Sequence, residues 1–277
     1  KVLYLSHLEA GEVRLKEEYQ NMYWPFGQHT LTGVEIIKNS ENLYPIYITN
    51  HGCGPDTILT HYFKKEIGDK PYLHIEVDEH SSKVGVITRV EAFVHSLDNH
   101  IEDKKQNIDS SKKQQGELKQ IEVTMDEQIA TDIDENKIII PSIYPYSNIV
   151  KAFLERQGKE VVVLDEVDED SIEFGKKFSM SKEYFSLIAV LGEVINYINK
   201  NNEKHTLFIP TNEGSETFGQ YGKLIKDKAM ESKHNLGLES PFVEDLLGDK
   251  NFGMDFFKSV VICDLINLLE DEKMSFY

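Results

Sequence analysis

Apolar positions along the first hundred residues switch between two periods. Leu43-Tyr-Pro-Ile-Tyr-Ile-Thr49 is rich in aromatic and β-branched residues and predicts a buried strand. Pro71-Tyr-Leu-His-Ile-Glu-Val77 alternates with a period of two and predicts a second strand. Between them, apolar residues recur at helical spacing from Asp56 to Ile67, with Asp56 as the expected N-cap and Gly68 as the stop. Further helices are predicted over Gln28–Lys38, ending near Asn39-Ser40, and over Val84–Leu97. Strand, helix, strand, helix implies parallel pairing with right-handed crossovers.

The pattern breaks over residues 101–136. This stretch has no aromatic residue, and ten acidic side chains face five basic ones, which predicts a linker or a long charged helix at a lobe boundary. Alternation resumes at Lys137-Ile-Ile-Ile-Pro141, a buried strand. A helix over Asn148–Gln157 stops at Gly158, and the next strand is Glu160-Val-Val-Val-Leu164. A helix over Lys182–Lys200, a strand Thr206-Leu-Phe-Ile-Pro210, a loop at 211–217, a helix from about Phe218 and a last amphipathic helix over Met254–Leu269 complete the set. The fold class is therefore α/β, with two Rossmann-like lobes of mainly parallel sheets, 1–100 and 137–277, joined by the charged segment 101–136.

With 277 residues, two domains of ordinary size are expected. The formal charge of −18 repels nucleic acid and anionic membrane surfaces, so neither is expected as a partner. No stretch approaches the roughly 20 apolar residues of a membrane span, and the two cysteines make no disulfide framework, which places the chain in a reducing cytoplasm. The chain opens at Lys1 without Met, and we read it as a fragment of something longer.

Candidate chemistry concentrates in Thr49-Asn-His-Gly-Cys-Gly-Pro-Asp56, at the carboxyl end of one strand and the start of a helix. Ligands collect at that edge of open α/β sheets. Gly52 and Gly54 permit unusual dihedrals around Cys53, and the helix N-terminus favours a thiolate there, able to bind iron, bind zinc or act as a nucleophile. Cys263, among apolar residues at helical spacing, reads as an inert buried thiol. Eight of the ten histidines fall in the first hundred residues, and His51, His80 and Cys53 are the set that could share a metal such as zinc; His61 and His74 read as packing or capping residues. Trp24 and His29, in Trp24-Pro-Phe-Gly-Gln-His29, line a pocket or close the core. Glu79 and His80 follow a strand end in Glu76-Val-Asp-Glu-His80, and Arg89 is placed to pair with one of these carboxylates. In the second lobe, the loop from Thr211 to Tyr221 offers backbone amides to a phosphate, but Glu213 and Glu216 argue against one. There is no P-loop lysine motif, dinucleotide fingerprint or serine nucleophile elbow.

Five motifs in order, Trp24-Pro-Phe-Gly-Gln-His29, Leu43-Tyr-Pro45, Thr49-Asn-His-Gly-Cys-Gly-Pro-Asp56, Lys70-Pro-Tyr-Leu73 and Val77-Asp-Glu-His80 leading to Thr88-Arg-Val-Glu-Ala-Phe93, resemble the dehydratase-like region of the large 2-hydroxyacyl-CoA dehydratase/activase proteins. The likeness covers residues 22–97 well. It is looser in the second lobe, through Ile140-Pro141, Leu164, Gly175-Lys-Lys177, Lys182-Glu183, Pro210-Thr211 and Phe218-Gly-Gln-Tyr221. The resemblance implies a [4Fe–4S] protein of anaerobic metabolism that acts on CoA thioesters, an ATPase activator module as partner, and a cluster held by cysteines from separate segments, with Cys53 as one of them. Two departures stand out. Tyr184 follows Lys182-Glu183 where the family often has a cysteine, and Glu216 stands where another can occur. Tyrosine and glutamate are poor substitutes for a thiolate on iron. The resemblance thus leaves two alternatives, a cluster completed by cysteines from outside the chain or a docking module that has lost its cluster.

Overall fold

The computed structural model describes residues 1–8, 15–19, 21–52, 54–112, 137–144, 146–180, 182–201, 203–248 and 252–274. The expected α/β class holds: two wholly parallel sheets carry helices between their strands. In the first, β1 (Ile46–Asn50) pairs with β2 (Leu73–Val77), Ile46 opposite Leu73 and Asn50 opposite Val77. Two helices pack together beside them, α1 (Pro25–Lys38) and α2 (Pro55–Ile67). Only one face of this small sheet is covered. Tyr47 and Thr49 point inward, with Tyr47 stacked on Phe63 at 4.6 Å, while Ile46 and Ile48 face outward. The helix expected over Val84–Leu97 is longer, α3 (Lys83–Lys112), and takes in the start of the charged segment; residues 113–136 lie outside the described residues.

The second sheet has the order β4-β3-β5-β6, from β3 (Lys137–Ile140), β4 (Glu160–Val163), β5 (His205–Phe208) and β6 (Leu236–Glu239). Central β3 buries Ile138, Ile139 and Ile140 together, as a parallel strand covered on both faces must. Around the sheet lie α4 (Tyr146–Arg156), α5 (Glu169–Phe178), α6 (Phe185–Lys200), α7 (Tyr221–Glu231), α8 (Val243–Gly248) and α9 (Gly253–Met274). The chain passes from β3 to β4 on one side, then crosses back to β5 on the other. The switch point, where such sheets bind ligands, lies between β3 and β5.

Several expectations need correction. α2 begins at Pro55 with Gly54 as its N-cap, so Asp56 is inside the first turn and its carboxylate instead accepts the Asn50 N–H at 3.1 Å. The expected Lys182–Lys200 helix begins only at Phe185, because residues 182–184 reach across to the first sheet. Strand β6 and helices α5 and α8 have no counterpart among the expected elements. α5 starts at a clear N-cap, Asp168, whose carboxylate accepts the Ser171 N–H at 2.7 Å.

One large apolar cluster joins both halves of the chain. It brings Tyr19, Met22, Leu31, Ile58, Leu59 and Tyr62 together with Leu187, Leu191, Val194, Ile195, Tyr221 and Leu224. Polar contacts follow the same seam. The Asn21 amide donates to the Gly219 carbonyl at 2.9 Å, Gln220 donates back to the Asn21 carbonyl at 2.9 Å, and Lys65 pairs with Asp227 at 2.9 Å. No described helix is long and apolar enough to cross a membrane.

Candidate functional site

The turn between β1 and α2 is built on left-handed backbone. His51, Gly52 and Gly54 have φ of 57°, 56° and 60°. An ordinary side chain is strained at such angles, which accounts for both glycines. Space is not the reason. A Cβ on Gly52 would meet nothing closer than Lys182 Cδ at 3.5 Å, and one on Gly54 nothing closer than the Tyr184 hydroxyl at 3.9 Å. Those neighbours matter more than the clearance: Lys182 and Tyr184 come from the second half of the chain and close over the turn. The Lys182 ammonium donates to the His51 carbonyl at 2.9 Å and pairs with Glu76 of β2. Glu76 offsets that ammonium, so the amino end of α2 is the partial positive charge that remains beside the turn. Cys53 itself lies outside the described residues.

The remaining residues expected at this rim divide into those it gathers and those it does not. His51 Nε2 lies 3.1 Å from a Glu79 carboxylate oxygen, and His80 Nε2 lies 3.6 Å from the other. The loop they share is held by Asp78, which accepts from the Ser81 hydroxyl at 2.8 Å and from the His80 N–H at 2.9 Å; the Ser81 bond keeps its carboxyl below the usual range. Arg89 pairs with no carboxylate of this loop. Its guanidinium donates to the His74 carbonyl at 2.7 Å. His74 accordingly works within the sheet, its Nε2 2.9 Å from the Thr49 hydroxyl. Burial first, and then the charges of Lys64 and Arg89, hold its pKa below the ordinary value. Burial raises the Asp56 carboxyl despite its bond from Asn50. Trp24 packs on the main cluster and donates its indole N–H to the Ser215 carbonyl at 2.8 Å, so it pins the 211–217 loop to the start of α1. His29 is exposed on α1 with no bonding partner among the described residues.

No family model matches the chain, and neither a curated protein nor a solved structure does.

The donor set does not by itself fit an iron–sulfur cluster. The sequence holds two cysteines, and Cys263 lies on α9, a helix that packs on α4 and α8. The side chains that meet the turn from the second half are an ammonium and a phenol. Among the described residues no group of three or more histidines, cysteines or carboxylates could hold a metal ion.

Two buried carboxyls belong to the second half, Glu183 from the Lys182-Glu183 motif and Glu193, which no motif marked. Glu183 is 8% exposed; one oxygen lies 2.5 Å from His61 Nε2 and accepts the Met180 N–H at 2.6 Å, while the other has no partner. It locks the 180–184 segment onto α2. Glu193, 5% exposed on α6, accepts the Ser142 N–H at 2.6 Å just beyond β3, and its second oxygen is likewise unpartnered. Burial, reinforced by the charge of Asp165 beyond β4 and opposed by the Ser142 bond, pushes its pKa up to about 7. The signal for Glu193 was present in Leu191-Gly-Glu-Val-Ile195, a charge inside an apolar helical run.

A folded pKa raised above the unfolded one means that protonation favours the fold. The contribution of Glu193 is complete below the unfolded carboxyl range and is lost as pH rises through about 7. At about 1.4 kcal/mol per unit, the penalty in alkaline solution is on the order of 3 kcal/mol. Glu193→Gln is therefore expected to stabilise the protein by about 3 kcal/mol at pH 8 and to change little at pH 4.5. Urea titrations at both pH values check this, and an equal effect at the two would contradict it.

Proposed function

We propose that the chain is a component of an iron–sulfur 2-hydroxyacyl-CoA dehydratase or of its ATP-dependent activator, working in the cytoplasm beside an ATPase module. In this reading Cys53 supplies one thiolate to a [4Fe–4S] cluster, and the other thiolates come from outside the chain. The support comes from one convergence. The Cys53-bearing turn and the Lys182–Tyr184 segment, both of which carry the family resemblance and lie some 130 residues apart, meet across a single rim. Separate segments that share a cluster need such a meeting point, and the amino end of α2 beside the turn suits an anionic ligand.

A second reading is favoured by the identity of the residues there. Tyr184 brings a phenol where a thiol would be needed, and Lys182 and Glu76 pair across the opening. On this view the chain is a docking module of the same system, binding the ATPase partner or an acyl-CoA without a cluster.

Iron analysis separates the two. Native protein purified without oxygen is expected to lose iron when Cys53→Ala is introduced. Iron content that is unchanged by the substitution would remove the ligand role and leave the docking module.

A further inference from the structure

Helix α9 is apolar on both of its faces. The inner face packs on the second sheet's helices. Phe252, just before the helix, stacks against Phe153 of α4 with ring centres 3.9 Å apart, and Phe256 follows it at 4.8 Å. The Tyr146 hydroxyl donates to Asp264 at 2.5 Å and closes that side. On the outer face Met254, Phe257, Val261, Ile262, Leu265, Ile266, Leu268 and Leu269 are between 40% and 61% exposed. A helix that is apolar all round is ordinarily buried all round. At 40–61% exposure, these eight side chains offer on the order of several hundred Å² of apolar surface. That matches the largest patch a monomer usually leaves, the kind that marks an interaction site, and it suits a small interface below the ~800 Å² per partner of standard size.

We propose that the outer face of α9 is the dimer interface of this chain, closed by the same helix of a second copy running antiparallel. The spacing of the apolar stripe argues for a copy over an unrelated partner. Met254, Phe257, Val261, Leu265 and Leu268 follow one another at intervals of three, four, four and three. That series is the same read in either direction. A two-fold axis at Val261 therefore sets Met254 against Leu268 and Phe257 against Leu265, so one patch is complementary to itself. The stripe also keeps to one side of the helix, as knobs-into-holes packing requires.

With a formal charge of −18 on each copy, association has to overcome mutual repulsion. Salt screens that repulsion, so the dimer tightens as salt rises, the reverse of an interface held by ion pairs. Sedimentation of the chain at 1–100 µM, in 50 mM and 500 mM sodium chloride, tests the proposal. The expected result is a monomer–dimer equilibrium that shifts toward dimer at the higher salt. Leu265→Glu, at an exposed position where folding is not at risk, is expected to weaken it about thirtyfold or more. Val84→Glu, on the exposed apolar surface of α3, serves as the control and leaves it unchanged. Val261→Cys is expected to cross-link to itself on mild oxidation. A monomer throughout the range, or a dimer indifferent to Leu265→Glu, would overturn the interface; a dimer that Val261→Cys fails to cross-link would overturn the antiparallel arrangement.

Discussion

Gly192→Ala is expected to lower stability by about 3 kcal/mol or more, at or above the top of the range for overpacked cores. A Cβ at this position would come within 1.7 Å of the Ser171 carbonyl oxygen and 2.8 Å of the Gly175 nitrogen, both backbone atoms of α5. The opposing glycine is as tight, since a Cβ on Gly175 would meet the Ile188 carbonyl oxygen of α6 at 2.0 Å. Side chains can change rotamer to make room, but backbone cannot, so the two helices have to separate. α6 begins directly after Tyr184, and its displacement would also draw the phenol away from the Gly54 turn. Urea denaturation measures the loss. Gly248→Ala is the reference, since a Cβ there meets nothing within 4 Å, and it should fall within about 0.5 kcal/mol of wild type. Equal stability of the two variants would contradict the close helix contact.

Glu183→Ala is expected to cost about 2–4 kcal/mol, since each stranded buried donor costs about 1–3 kcal/mol. It deprives both His61 Nε2 and the Met180 N–H of their acceptor in a region closed to water. The penalty comes chiefly from stranding those donors, so the double variant His61→Ala/Glu183→Ala should be clearly less destabilised than the sum of the two single changes. Simple additivity would show that the pair does not act as a unit. Because the pair fastens the 180–184 segment to α2, the single change should also make that segment more open to proteolysis.

What could be read from residues alone follows from what periodicity measures. Apolar spacing reveals which positions are buried, and it located the strands of both sheets except β6 and the described α-helices except the short α5 and α8. β6 is four residues, Leu-Gly-Leu-Glu, too short and too poor in β-branched residues to register. α5 is short and acidic at its start, and its buried side rests on Ser171 and Gly175. Spacing does not reveal which buried faces meet. The shared cluster of Tyr62 with Leu191 and Tyr221 could not be foreseen from either half. The same limit governs the site. Gly52 and Gly54 were legible because left-handed backbone favours glycine, although His51 in the same turn adopts it too, and Trp24 was noticed although its bond to Ser215 was not predictable. Arg89 was assigned to a carboxylate by charge, whereas the fold turns it to a carbonyl. Lys182 and Tyr184 gained meaning only when a segment about 130 residues downstream of the turn folded back over it.

The function proposed above requires the turn at Gly54 and Tyr184 to share one rim. The measurement that tests it most directly is the iron and sulfide bound per chain after anaerobic reconstitution of wild type and Tyr184→Cys. Two thiols brought to one opening should hold more iron than one, so the substitution is expected to raise bound iron and to lose that gain when Cys53→Ala is added. Iron content that does not respond to Tyr184→Cys, or a gain that survives the loss of Cys53, would contradict the account.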